Sequence, residues 1–235
     1  MHLKLPDSNQ TRTKRSAASL IDAYRWCDLL WDKLLEYDSG DTAEDGAALT
    51  AALSGRRLSV STAFSGIGTP ELACSTIGKS ARRFVASQWS GPPGDVPVAL
   101  SFQQVWACEK SSKARAELLI SPSKPQHLYQ DIKSFLPAGA RRLAEKGGLH
   151  LPGQAMTSCT QSTCLVCKGT CSPESTLLHI AGSPCQDFSS YGKRLGQLGP
   201  RMGDFQAWAA MVLTLAFAVV VHENVTQCGK EALED

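Results

Sequence analysis

The chain has 235 residues, 43% of them hydrophobic and 20% charged, which suits one globular domain with a real core and an N-terminal appendage. Its formal net charge of +2 neither demands nor excludes nucleic acid, because a phosphate backbone is bound by a local basic surface rather than by a basic average. The polar N-terminus, MHLKLPDSNQTRTKR, lacks the apolar stretch of a secretory signal, so the nine cysteines are expected to stay reduced, which argues against a disulfide framework.

Residues 19–37 read as an amphipathic helix, with Leu20, Tyr24, Cys27, Trp31 and Leu34 on one face and Asp22, Arg25, Asp32 and Glu36 on the other. It packs either on the main domain or on a partner. Residues 38–57 are acidic and then rich in Ala and Gly, as in a linker or an irregular, helix-containing connection. Residues 1–57 together form an N-terminal helical extension and linker.

From Leu58 the pattern alternates. LSVSTAF (58–64) is a strand, and Thr69-Pro70-Glu71 opens a short helix with Gly78 near its stop. FQQVWACE (102–109) is the next strand, followed by a helix over 112–120. HLYQD (127–131) is a third strand before a helix near 135–146, and TLLHIAG (176–182) is a fourth. An Ala-rich helix over 203–217 leads to the fifth strand, AVVVHEN (218–224). The apolar run Ala207–Val221 is short for the ~20 residues of a membrane span and turns β-branched, so it reads as a buried helix feeding a strand, with no membrane partner. Strand–helix alternation predicts an α/β fold: a mostly parallel sheet with helices on both faces. Residues near 79–101 and 147–175 read as surface insertions, since such connections are normally short.

Ligands of open α/β sheets bind beyond the carboxyl ends of the strands. Phe64-Ser65-Gly66-Ile67-Gly68 follows the first strand, Glu109 ends the second and Asp131 the third. Gly182-Ser183-Pro184-Cys185-Gln186 follows the fourth, and His222-Glu223-Asn224 ends the fifth. All the chemically suggestive residues therefore fall on one edge of one sheet. The glycine turn lets a ligand approach the backbone, or is a plain tight turn. Glu109 can accept ribose hydroxyls, or is a solvated strand-end charge. Asp131 can accept from an adenine amino group, or caps the following helix. Cys185 is a nucleophile or a structural thiol. Glu223 emerges from an apolar run, where a carboxyl tends to have a raised pKa and to act as an acid, or it bonds to backbone.

Phe64-Ser-Gly-Ile-Gly68 resembles the cofactor loop of the DNA (cytosine-5) methyltransferase family. Pro184-Cys185-Gln186-Asp187-Phe188-Ser189 is similar to that family's nucleophile motif, and Glu223-Asn224-Val225 to its Glu-Asn-Val motif. The resemblance covers residues 58–228 and implies a partial, Rossmann-like class I methyltransferase domain, with 229–235 as a tail. It implies S-adenosyl-L-methionine as cofactor, held by Phe64 to Gly68, Glu109, Asp131 and Pro184. Cys185 and Glu223 would be catalytic, and Gln186, Ser189, Lys193, Arg194 and Arg201 would bind nucleic acid, with a solvated loop as the alternative for Lys193 and Arg194. DNA is the implied partner, with tRNA or a catalytically silent cofactor-binding module as alternatives. The implied location is intracellular, and nuclear in a eukaryote. The family has further sequence after Glu-Asn-Val, including its recognition region, so the sheet is expected to have an exposed edge here and a second chain is a candidate partner. Gly199 departs from the family, which has an acidic residue two positions before the loop arginine.

Cys159, Cys164, Cys167 and Cys171 offer four thiols for zinc, or belong to a reduced insertion without metal. The histidines His2, His127, His150, His179 and His222 show no ligand spacing, and His179 and His222 read as strand residues with satisfied hydrogen bonds.

Overall fold

The computed structural model describes residues 27–29, 31, 33, 42–146, 161–189, 195–196 and 199–225. Its elements in chain order are α1 (Thr42–Leu53), β1 (Arg57–Ala63), α2 (Thr69–Gln88), β2 (Ser101–Cys108), α3 (Ser112–Ile120), β3 (His127–Tyr129), α4 (Ala138–Glu145), β4 (Ser162–Thr163), β5 (Thr170–Cys171), β6 (Leu178–Gly182), α5 (Met202–Leu215) and β7 (Val219–Glu223). The main sheet has the order β3-β2-β1-β6-β7, and every pairing in it is parallel. This is the expected α/β architecture. The order reverses between β1 and β6, which makes their carboxyl ends the switch point where such folds bind ligands. β4 and β5 form a separate antiparallel pair.

The central strands are buried on both faces, with Val60 to Ala63 of β1 all fully buried. Trp106 of β2 is fully buried and meets Tyr129, Phe135, His179 and Phe217 at ring-centroid separations of 5.3–6.3 Å. α5 packs Ala207, Trp208, Ala210 and Met211 into the same core. On the other face, α2 buries Cys74, Gly78, Ala81, Phe84 and Val85, which is the i, i+4, i+7, i+11 stripe of a helix.

The structure departs from two sequence expectations. α2 does not stop near Gly78 but runs to Gln88, so the insertion expected near 79–101 begins only after that residue. Gly78 marks a close approach, not a terminus: a Cβ there would lie 3.3 Å from the carbonyl oxygen of Leu100 and 3.4 Å from Phe102. His127 is the second departure. Its ring lies against Cys164 and Cys167 because the insertion folds back along β3, a proximity that no ligand spacing announces.

The N-terminal segment packs on the domain, through the described residues of its helix. Trp31 is buried beside Phe84 and donates from Nε1 to Ser80 Oγ at 2.8 Å. Arg83 pairs with Asp28 at 2.7 Å. Leu20, Tyr24 and Leu34 lie outside the described residues, as do Asp22, Arg25, Asp32 and Glu36.

Among the described residues β7 is an outer strand, and Val219, Val220 and Val221 are exposed. No helix among the described residues is long and apolar enough to cross a membrane.

Candidate active site

The glycine turn after β1 is shaped by backbone that few residues adopt. Phe64, Gly66 and Gly68 have φ of 56°, 57° and 95°, in the left-handed region that glycine occupies without penalty. A Cβ on Gly66 would meet nothing within 4 Å, whereas one on Gly68 would lie 3.1 Å from Leu118 Cδ2. Gly66 therefore presents open backbone, and Gly68 lets the turn settle on α3. Beneath the turn, Thr62 donates to Glu71 at 2.5 Å and shares a 2.7 Å hydrogen bond with Ser65. Burial pushes the Glu71 carboxyl above its ordinary pKa, against the effect of the Thr62 hydrogen bond. Glu71 reads in sequence as a first-turn helix acid; its support of the glycine turn emerges only in three dimensions.

Glu109, just past β2, ties the turn to α3. One carboxylate oxygen accepts from Gly66 N–H and the other from Ser111 N–H, each at 2.7 Å. The charge is thus held at the switch point beside open glycine backbone. Asp131, past β3, accepts from Lys133 N–H at 2.9 Å, so the helix-capping role foreseen for it is realised. Its second oxygen faces Lys110 at 3.7 Å.

These residues surround a cavity of about 570 Å³, within the ~300–1,000 Å³ usual for small-molecule sites. Phe64, Glu109, Asp131, Pro184, Gln186 and Arg201 line it, together with Cys108, Lys110, Ser111, Ile132, Gly182 and Asp204. Of the last six only Gly182 was named in the sequence, as the start of the loop after the fourth strand. Ser65 is buried beneath the turn and Ile67 is exposed. Arg201 lies 3.9 Å from Asp204, whose carboxylate also pairs with buried Lys133 and faces Lys110 at 3.7 Å. Burial opposes the charge of Lys133, yet the Asp204 carboxylate holds its pKa above the ordinary lysine value.

The nucleophile loop is anchored from β7. Gly182 and Glu223 are register partners, and a Cβ on Gly182 would lie 3.5 Å from Glu223 Oε2. The Asn224 amide donates to Ser183 Oγ at 2.7 Å and to its carbonyl at 3.4 Å. His222 Nε2 shares a 2.8 Å hydrogen bond with the same hydroxyl. Ser183, Pro184 and half-buried Cys185 are thus pinned to the strand that carries Glu223. The backbone carbonyl of Cys185 accepts from Phe188 and Ser189 N–H, closing a turn. Glu223 is exposed, not enclosed by apolar neighbours as the preceding run suggested, because β7 is the outer strand among the described residues.

Asp187 accounts for Gly199. A Cβ at Gly199 would fall 2.0 Å from the Asp187 carboxyl carbon, and that carboxylate accepts from Arg201 N–H at 2.8 Å. A carboxylate from the nucleophile motif thus fills the space beside Gly199, and a side chain there would displace it. Lys193 and Arg194 lie outside the described residues.

His179 and His222 have the partners expected of them. Trp208 Nε1–H donates to His179 Nε2 at 2.9 Å, so the proton of a neutral ring sits on Nδ1, 2.8 Å from Ser61 Oγ. Ser61 then reaches Thr176 at 2.7 Å, and Thr176 donates to the Leu178 carbonyl at 3.0 Å. Burial drives the His179 pKa down to about 3.

Residues 173–232 match the family of C-5 cytosine-specific DNA methylases. The match spans β6, the Pro-Cys-Gln loop, α5, β7 and the Glu-Asn pair, and it supports the DNA (cytosine-5) methyltransferase family for this chain. No curated protein matches the chain.

Proposed function

We infer, from a cytosine-5 methyltransferase segment built onto the switch point of a parallel sheet, that this protein methylates carbon 5 of cytosine in DNA with S-adenosyl-L-methionine as donor. The observation that carries the reading is the anchoring of the Cys185 loop to β7 by Asn224 and His222. It joins the thiol loop and the Glu223 carboxyl to the strand end that also borders the cavity at Gly182.

The cavity fits the cofactor by the chemistry of its walls. Glu109 and Asp131 offer carboxylate acceptors for ribose hydroxyls and an adenine amino group, and Phe64, Cys108 and Ile132 offer apolar surface for the ring. Bound there, S-adenosyl-L-methionine supplies an electrophilic methyl group. The chain's own residues prepare the base to accept it. The Cys185 thiolate adds to carbon 6 of cytosine, and Glu223 hydrogen-bonds and protonates N3, so the electron pair displaced from the ring double bond is available at carbon 5. After carbon 5 gains the methyl group, a base removes its proton. The carbon–sulfur bond breaks, Cys185 leaves as thiolate and N3 returns its proton to Glu223. Carbon 6 is inaccessible in a stacked duplex, so the target nucleotide must leave the helix. Gln186, Ser189, Arg201, Lys193 and Arg194 are the proposed contacts to it. Among the described residues the outer edge of β7 is unpaired, which supports pairing with a further strand, with a second chain as a candidate source.

Covalent trapping tests the reading. With cofactor and duplex DNA containing 5-fluorocytosine, the protein is expected to form an adduct that survives denaturing electrophoresis, because fluorine at carbon 5 blocks the final elimination. Cys185→Ala should form none while still binding the cofactor. A folded, cofactor-bound protein that forms no adduct would overturn the catalytic assignment, and an adduct formed on tRNA but not on DNA would overturn the substrate.

A further inference from the structure

The insertion before β6 carries the strongest unassigned cluster. His127 opens β3, Cys164 and Cys167 lie in the turn between β4 and β5, and Cys171 ends β5. One ligand atom from each of these four residues lies within 4.8 Å of all the others. We propose that His127, Cys164, Cys167 and Cys171 form a structural zinc site that clamps the insertion to the edge of the main sheet.

The distances suit that ion. Tetrahedral zinc with its usual bond lengths puts two thiolates about 3.8 Å apart and a thiolate about 3.6 Å from an imidazole nitrogen. His127 Nδ1 lies 3.7 Å from Cys164 Sγ and 3.3 Å from Cys167 Sγ. The backbone is already wound to present the thiols. Cys164 N–H donates to the Gly169 carbonyl at 2.8 Å, Lys168 N–H donates to the Cys164 carbonyl at 3.0 Å, and Lys168 takes a left-handed φ of 59°. Cys167 N–H points at Cys164 Sγ at 3.4 Å, a donor that steadies thiolate charge on a metal ligand. Register pairing of Ser162 with Cys171 brings the third thiol alongside.

The energetics require a fastener. β4 and β5 have two residues each, too short to hold a hairpin in water unaided. Yet Cys164 is fully buried, and Leu165 N–H donates to the Leu128 carbonyl of β3 at 2.8 Å. Four protein ligands close the coordination sphere and leave no position for substrate, which makes the site structural. It holds the hairpin where Ser162 meets Ser134 at 2.6 Å, next to Asp131 at the cavity's rim. His127 takes the position that the sequence assigned to Cys159, which lies outside the described residues.

The test uses the full chain and is independent of methyl transfer. Purified from zinc-supplemented culture, the protein is expected to contain one equivalent of zinc by elemental analysis. Cobalt exchanged into it should show the visible bands of tetrahedral geometry with near-ultraviolet thiolate charge transfer. Cys167→Ser and His127→Ala should weaken zinc binding about tenfold or more, and His127→Cys should restore zinc with stronger charge transfer. Cys159→Ser should leave metal content and cobalt spectrum unchanged. If a variant fails to fold, thiol modification of the wild-type chain in the presence of a colorimetric zinc chelator reads the same bound equivalent. A reduced, folded wild-type chain that takes up neither metal overturns the site. Loss of metal in Cys159→Ser with retention in His127→Ala overturns the ligand set.

Discussion

Acid should weaken this fold through His179. Its ring is fully buried, accepts from Trp208 at one nitrogen and faces Ser61 at the other. A proton added at Nε2 would confront the Trp208 N–H with another donor and leave a charge in the core. Burial lowers the pKa from 6.5 to about 3, so the unfolded chain binds a proton that the folded chain refuses between those values. The stabilisation from keeping the ring neutral is complete above pH 6.5 and is lost as pH falls from there toward 3. Each tenfold difference in proton affinity between the folded and unfolded chain is worth about 1.4 kcal/mol, so the loss approaches roughly 5 kcal/mol at the acid end. That is comparable with the whole stability of a marginal domain of ~5–15 kcal/mol. Asp28, whose pKa is lowered mainly by the Ser80 hydrogen bond, acts in a different window, below its ordinary value of 3.8. Urea unfolding across this range is expected to show a midpoint falling steadily below pH 6.5, with a shallower slope in His179→Gln. Equal slopes in the two proteins, or a His179 resonance titrating near 6.5 in the folded state, would refute the argument.

Glu109→Ala removes the acceptor of the Gly66 and Ser111 N–H groups and should weaken cofactor binding by ~1–3 kcal/mol, read by calorimetry; an unchanged affinity removes the ribose assignment. Asn224→Ala should leave cofactor affinity intact while cutting the rate of adduct formation about tenfold, the effect of a loss of ~1.4 kcal/mol. It frees the Ser183 loop without touching the cavity, so Asn224 is a positioning residue. Asn224→Asp keeps the acceptor for Val225 N–H but not the donor to Ser183, and should fail to restore the rate. A matched fall in cofactor affinity in either variant would point to general unfolding of the site.

Residues legible in the sequence share one property: each sits where its own strand ends. Glu109, Asp131, Cys185 and Glu223 lie at or just past the carboxyl ends of β2, β3, β6 and β7, and parallel topology alone carries those ends to one edge. What stayed hidden depends on pairs that topology brings together from far along the chain. Gly78 reads as a helix stop because nothing nearby announces Leu100 against its Cα. His127 precedes Cys164 by 37 positions, and Asn224 follows Ser183 by 41. Asp187 reads as one letter of a motif until Gly199 leaves it room to cap Arg201. This last pair bears on the one departure from the family pattern. An acidic side chain at position 199 and the observed Asp187 carboxylate compete for one volume and one N–H donor. Glycine at 199 is therefore the residue that the Asp187 position requires, and a carboxylate from the nucleophile motif stands beside Arg201.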